Sequence, residues 1–402
     1  MSAKIETAAK ATPVAGGPPA RPTLAVFAAH YVPHVGGVEL YVEGLLRRLS
    51  ARGWPVRLVT SDVGSRPGEE LRDGVLVTRL RSAPLMAARF PFPLGPGVIR
   101  ALATLRAARP AVVITNTRFQ PITWLGAAVA RRSGIPLLHI EHGSGHVPMD
   151  GRIAAWLSRA LDRTAGRWVV ARAAASAGVS PASASFLKSL GAMRPRVLPS
   201  GIDLLDRSEP ARREWRARLG LREDDVAVLY LGRVTDDKGV PLLVQSFRAL
   251  DPASRAHLVV AGDGAALGRI RAESAGLGWL HVLGQVDPSS VPGLLAASDA
   301  FAHPSMCAEG GPRTVLEAAA AGLAIVATPQ GITPEVVRSE AEGILVPPGD
   351  APALTQALQR LVSDPALRAT LGAAVRRNVT ERFDWDRVAL EAERLVSSLI
   401  PT

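Results

Sequence analysis

Leu24–Ala28 is apolar at every position, and a glycine-containing loop and the stretch Val38–Leu49, whose apolar residues recur at helical spacing, follow it. That is one strand–loop–helix unit. The pattern continues with Val56–Thr60, Val75–Leu80, Val112–Asn116 and Leu137–Glu141 as strands, and with Val98–Ala108 and Pro121–Arg132 as helices. Runs that are apolar on both faces and separated by helices predict a mostly parallel sheet covered on both sides.

The turn-rich segment Pro199-Ser200-Gly201-Ile202-Asp203 interrupts this pattern, and a polar helical stretch at Glu209–Leu219 leads into a second series. Its strands are expected at Val226–Gly232, His257–Ala261, Leu280–Leu283, Ala300–His303, Ala324–Ala327 and Ile344–Val346. The fold class predicted is α/β, two doubly wound Rossmann-like domains facing across a cleft, over residues 23–200 and 201–383. Residues 1–22, rich in proline and glycine, are expected to be a disordered leader. Residues 384–402 carry a helical pattern from Trp385 to Leu399, with Asp384 as N-cap, expected to cross back and brace the first domain. In such sheets ligands sit beyond the carboxyl ends of the strands, which places the site in the cleft.

A chain of 402 residues suits two domains of about 180 residues each. Its charge is uneven: residues 1–200 carry 26 Lys or Arg against 10 Asp or Glu, while 201–402 carry 21 against 26. A basic half attracts anionic membranes, nucleic acid or phosphorylated substrates, and charge alone does not choose among them. The aromatic interleaving of a single-strand nucleic-acid surface is missing, so no nucleic-acid partner is expected. Only four of the basic residues are lysines, a bias that fits genomic composition better than selection for phosphate. The single cysteine, Cys307, excludes an internal disulfide and suits a reducing cytosolic compartment; it is expected to be a packing residue. No apolar run approaches the roughly 18 to 20 residues that cross a bilayer. Arg152–Arg172, with Ile153, Trp156, Leu157 and Leu161 among Arg159, Arg163 and Arg167, is either a basic amphipathic helix resting on an anionic membrane or an ordinary surface helix. Leu85–Ile99, with Phe90, Phe92 and three prolines, either lines a substrate cleft or crosses over the sheet.

Three loops carry candidate chemistry. Gly36-Gly37 lies between the first strand and first helix, where bare backbone and unpaired N–H groups can meet an anion. No G-x-G-x-x-G follows that strand, which lowers a dinucleotide-dependent oxidoreductase. In the second half Gly232-Arg233 closes a strand and Lys238-Gly239 opens the next helix, so two cations can bracket a diphosphate. The richest stretch runs from His303 to Ala318: Glu309 in the loop, Gly310, Gly311, Pro312 at the first helical position, Arg313, Thr314, and Glu317 about one turn inside the helix. Two such carboxylates suit sugar hydroxyls or a ribose diol, and the amides near 310–313 suit a diphosphate.

The order and spacing of Pro33-x-x-Gly36-Gly37-x-Glu39, Glu141-His142-Gly143, Val179-Ser180, Pro199–Asp203, Gly232-Arg233, Lys238-Gly239, Gly262-Asp263-Gly264 and E-x7-E at 309 and 317 resemble the retaining glycosyltransferases of the GT4 class, from about residue 24 to 399. The resemblance implies the two-domain GT-B fold and a nucleotide-activated sugar as donor. It implies that Glu309 touches the donor sugar near its C3 hydroxyl, Glu317 holds the ribose, Arg233 and Lys238 balance the diphosphate, Gly37 approaches it, and His142 lies near the sugar, ahead of His139 and His146. The donor set expected is Gly36, Gly37, Arg233, Lys238, Gly310, Gly311, Pro312, Arg313, Thr314 and Glu317; the catalytic set is His142, Glu309, Arg233 and Lys238. The sequence departs from the commonest pattern at Glu309-Gly310-Gly311-Pro312, where E-x-F-G is usual, and at Gln330-Gly331, where a doubled glycine is frequent.

Fixed cations and helix amides stabilise a departing nucleoside diphosphate, so no metal or other cofactor is expected. Asp384-Trp385-Asp386 has D-x-D spacing but sits at a helix start, where capping explains it. The resemblance supplies no carboxylate beneath the anomeric carbon, which favours same-face attack over double displacement. The expected acceptor is lipid-linked or a saccharide, met by the first domain, in the cytoplasm or at the inner face of the membrane. A sugar-nucleotide 2-epimerase and a noncatalytic scaffold of the same fold are the competing readings; donor base, donor sugar and oligomeric state stay open.

Overall fold

Parallel strands require long crossovers, and the helices that make them bury both faces of the sheet. The computed structural model describes residues 21–34, 36–62, 67–85, 90–146, 151–203, 205 and 207–401. The leader expected over 1–22 lies, as far as residue 20, outside them. In the first half the strands are β1 (Leu24–Ala28), β2 (Val56–Asp62), β3 (Gly68–Arg72), β4 (Val75–Leu85), β5 (Phe90–Pro93), β6 (Val112–Asn116), β7 (Leu137–Glu141), β8 (Ala175–Gly178) and β9 (Arg196–Val197). They lie in the order β3-β4-β2-β1-β6-β7-β8-β9, with β5 on β4. All pairings are parallel except those of β3 and β5 with β4. The continuous apolar runs arise because β1, β6 and β7 are buried at every position.

The second sheet contains β10 (Val226–Leu231), β11 (Ala256–Ala261), β12 (Leu280–Gly284), β13 (Ala300–His303), β14 (Ala324–Ala327) and β15 (Ile344–Leu345), all parallel, in the order β12-β11-β10-β13-β14-β15. The strand order reverses at β1 in one sheet and at β10 in the other. Such switch points leave a crevice at the strand ends. The loops that leave β1, β6, β7, β10 and β13 converge there.

Arg152–Arg172 is helical without a break as far as Val170, but the helix is not regular. A helix at Arg152–Leu161 passes through a π-turn at Asp162–Gly166 into a short helix at Arg167–Val170. The wide turn puts Asp162 inside the protein, 1% exposed. Ile153, Trp156 and Leu157 stay on the surface at 78%, 61% and 53% exposure.

The last helix, Trp385–Ser397, crosses back onto the first helix, Gly37–Ala51. Asp384 caps it by accepting from the amides of Asp386 and Arg387. Trp385 is buried in the core of the first lobe, 6.0 Å from the Tyr41 ring and under the Arg48 guanidinium. A Cβ on Gly44 or on Gly201 would come within 2.2 Å of the indole, so those glycines make its slot. The two crossings between lobes run side by side, joined by the Ile202 amide donating to the Phe383 carbonyl at 2.7 Å. Trp385→Ala is expected to cost about 3 to 5 kcal/mol, seen as a lower midpoint in urea denaturation. A loss under about 1 kcal/mol would contradict this packing account.

Candidate active site

Burial penalises a carboxylate unless cations meet it. Glu309, in the loop after β13, has one cation, Lys238 Nζ at 3.0 Å, and one ring N–H donor, His303 Nε2 at 2.9 Å. Against the cost of burial they hold its carboxyl down to about 2, so it is a fixed anion at neutral pH. Lys238 ends a single 3-10 turn after β10, and Gly239 follows at φ 72°. A Cβ there would lie 2.1 Å from the Pro304 carbonyl oxygen, so glycine is required for the lysine loop to dock on the Glu309 loop. His303 lies parallel to the rings of Tyr230 and Phe301, which lock its orientation.

Arg233 leaves β10 beside this cluster. Its carbonyl accepts from the Tyr230 hydroxyl at 2.6 Å, while its guanidinium makes no salt bridge among the described residues. Arg313 Nε lies 2.9 Å from Glu317 Oε1 one helical turn on, and burial still raises the Glu317 carboxyl. Pro312 precedes its helix instead of opening it. Its φ of −65° suits a helix, but its ψ of 100° is extended, so it is the N-cap and Arg313 is the first helical residue.

The first lobe supplies the facing wall. His142, directly after β7, has its Nε2 3.0 Å from Asn116 Oδ1, and the Asn116 amide nitrogen donates to the Phe27 carbonyl. The oxygen of Asn116 therefore accepts, the His142 proton sits on Nε2, and Nδ1 is the free acceptor. Burial pushes this imidazole down to about 4, so it is neutral at pH 7. His139 is a different case: it lies within β7, fully buried, with its ring between Thr115 and Glu141. Gly36 is the N-cap of the first helix; a Cβ there would meet the Glu39 carboxylate, which has folded back toward His34. Gly37 has open space where a Cβ would point.

Behind His142 lies a cluster absent from the sequence expectations. Arg118 is fully buried, its NH1 2.9 Å from Glu141 Oε1 and its Nε 2.8 Å from Asp162 Oδ1. Its NH2 also donates to the Gly145 carbonyl at 2.8 Å, and Glu141 accepts from the Gly143 amide at 2.7 Å. Despite complete burial, Glu141 is held far below the usual carboxylate range, by Arg118 first and His139 next. The guanidinium thus ties both ends of the loop that presents His142.

All twelve residues expected at the site line one cavity of about 490 Å³ between the lobes. A second cavity, about 560 Å³ and lined with more apolar residues such as Val286 and Val291, adjoins it and shares Arg233, Arg313 and Glu317. Cys307 also faces the first cavity, which the expectation of a packing role did not include, and burial raises its thiol. Phe119 stands on the first-lobe side, 5.7 Å from Phe90, so one end of the Leu85–Ile99 segment backs the cleft. The lobes touch where Ser144 Oγ donates to the Glu309 carbonyl and Gly310 packs on the His142 carbonyl.

Known proteins resemble this chain. The family model described as Glycosyltransferase Family 4 matches residues 35–205, and that described as Glycosyl transferases group 1 matches 211–378. A D-inositol 3-phosphate glycosyltransferase of Actinosynnema mirum is 31% identical over 382 residues, 88% of this chain and 89% of that one. The chain belongs to the GT4-type glycosyltransferases of GT-B fold. An uncharacterized glycosyltransferase of Methanocaldococcus jannaschii is 23% identical over 94% of this chain and 98% of its own. Among solved structures, Anabaena HepE in complex with UDP and glucose superposes with a TM-score of 0.76 at 19% identity, covering 94% of this chain and all of that one. Sucrose-phosphate synthase from Thermosynechococcus elongatus has the same TM-score at 24% identity, over 94% and 99%.

In this glycosyltransferase Gly310, at the variable position of that stretch, has a physical reason to be glycine. A Cβ at that position would lie 1.7 Å from the His142 carbonyl oxygen, across the gap between lobes. The single Gly331, at φ 60°, similarly accepts the carbonyls of Glu309 and Gly310, 2.7 and 2.6 Å from its Cβ position. Gly310→Ala is expected to hold the lobes apart and lower turnover by at least about tenfold with little change in the unfolding midpoint. Turnover equal to the parent enzyme would contradict the close approach.

Proposed function

We propose that this glycosyltransferase moves a hexose-type sugar, with retention of anomeric configuration, from a UDP- or GDP-linked donor to a glycolipid, polysaccharide or other cell-envelope acceptor. The observation that carries the reading is the ionised, buried Glu309 between Lys238 and His303, beside an Arg233 guanidinium without a salt bridge among the described residues. A fixed carboxylate of this kind accepts from sugar hydroxyls. Arg233 and Lys238 then take the charge that develops on the leaving diphosphate, with the backbone at Gly36-Gly37 and at Gly310, Gly311, Pro312, Arg313 and Thr314 around it. Glu317 suits the ribose hydroxyls, and the more apolar second cavity suits the nucleobase.

In the proposed chemistry the acceptor hydroxyl attacks on the face from which the diphosphate departs, and a leaving-group phosphate oxygen takes its proton. Neutral His142 hydrogen-bonds to the sugar without adding a positive charge. No metal is required in this scheme. The names of the relatives add a phosphorylated polyol to the acceptor classes worth testing.

The reading is tested by following nucleoside diphosphate release from UDP- and GDP-hexoses and assigning the product's anomeric proton by NMR. Retention is expected. Glu309→Ala is expected to lose about 100-fold or more in turnover with an unchanged circular dichroism spectrum. An inverted product or unchanged initial rates would refute the proposal, and donor consumption that yields only an epimerised sugar nucleotide would favour the 2-epimerase.

The exposed Ile153, Trp156 and Leu157 beside Arg152 and Arg159 support peripheral docking on an anionic membrane. No helix of the described residues is long and apolar enough to cross one. Ile153→Glu with Trp156→Glu is expected to abolish co-sedimentation with phosphatidylglycerol vesicles. Equal sedimentation of the parent enzyme with neutral and anionic vesicles would remove the membrane part of the proposal.

A further inference from the structure

His146 stands four residues beyond His142 in the same loop, and the donor chemistry above leaves it without a task. Its Nδ1 is 2.6 Å from Asp162 Oδ2, and its ring meets Phe186 edge-on at 5.5 Å. Asp162 is almost fully buried, and Arg118 already donates to both of its oxygens, at 2.8 and 3.0 Å. Both Asp162 oxygens already accept from the guanidinium and Oδ2 faces Nδ1, so the His146 proton resides on Nδ1. In the neutral ring Nε2 then carries a lone pair. The His146 side chain is 39% exposed, lines the same cavity as His142 and Glu309, and its Nε2 has no partner among the described residues.

A merely structural histidine would be needed to satisfy Asp162, yet Arg118 has met that need. The third bond instead fixes the imidazole, with the π-turn bringing Asp162 to the position where it can do so. Phe119, on the same side of the cavity, offers a flat apolar face suited to a sugar or polyol ring.

We propose that His146, oriented by Asp162, binds the acceptor: its Nε2 accepts a hydrogen bond from a hydroxyl of a polyhydroxylated acceptor ring and sets that ring for attack. The donor's diphosphate and sugar contacts lie on the second lobe, and His146 lies on the first, across the cavity. No covalent bond to the histidine is involved, and the acceptor proton still leaves with the phosphate. This assignment rests on the sugar-transfer reading of the cleft.

The test compares the parent enzyme with His146→Phe, which keeps the ring edge on Phe186 but has no nitrogen, and with His146→Gln, which restores a hydrogen-bonding atom. Donor affinity is measured by calorimetry with UDP- and GDP-hexoses. Transfer is measured with methyl glucoside, methyl mannoside and D-inositol 3-phosphate as acceptor probes. The expected result for His146→Phe is a fall of about 10- to 100-fold in kcat/KM for the acceptor with donor affinity unchanged, partly recovered in His146→Gln. Parental kcat/KM in His146→Phe would overturn the assignment, as would an equal loss of donor affinity, which would place the residue on the donor side or in the fold. A parent enzyme that turns over no donor with any probe would instead remove the sugar-transfer reading itself, and the assignment with it.

Discussion

A guanidinium shut away from water must find counter-charges within reach, and the first-lobe wall of the cleft is arranged around that requirement. Arg118 is that group. Glu141 at the end of β7 and Asp162 at the π-turn neutralise it, and the Gly145 carbonyl takes one of its remaining protons. Since Glu141 also holds the Gly143 amide, the loop carrying His142 and His146 is tied to the sheet at both ends. Breaking such a pair from one side leaves an uncompensated buried charge, typically about 3 to 5 kcal/mol, which keeps the wall in one arrangement.

The second lobe repeats the principle with opposite sign. There a carboxylate is enclosed, Lys238 neutralises it and the His303 ring hydrogen-bonds to it. The two clusters meet through backbone at Gly310, which has no side chain because the His142 carbonyl oxygen occupies the space one would need, and Gly331 leaves the same kind of room for the Glu309 and Gly310 carbonyls within the second lobe. The cleft therefore has a basic, anion-receiving side at Arg233 and Lys238 and a neutral, histidine-lined side at His142. That polarity is what departure of a diphosphate from a neutral sugar calls for.

Much of this was legible from the chain because buried parallel strands are apolar throughout. β1, β6, β7, β13 and β14 fall where the apolar runs place them. β3 escaped because it is exposed at every position, β9 because it has two residues, and β8, Ala-Ser-Ala-Gly, because it lacks bulk. The site residues share short loops at strand ends, so spacing groups them. Arg118, Asp162 and Asn116 act through partners 16 to 89 positions away, as Arg118 does with Glu141 and Asp162, and no local spacing encodes such pairs. His303 was in view as the end of a strand, but its bond to Glu309 needs the loop to turn back on itself. The helix expected over Arg152–Arg172 is present as far as Val170, but periodicity does not register its π-turn, which adds one residue to the turn and swings Asp162 inward.

The central claim is that the joined cavities receive a nucleoside diphosphate sugar between these two charge clusters. Calorimetric titration of the purified full chain with UDP, GDP and ADP and their hexose conjugates tests it most directly. The account predicts saturable one-to-one binding of one nucleotide series, weakened when Arg233 or Lys238 is replaced by methionine. A folded protein that binds none of them, or binds equally well without either cation, would contradict it.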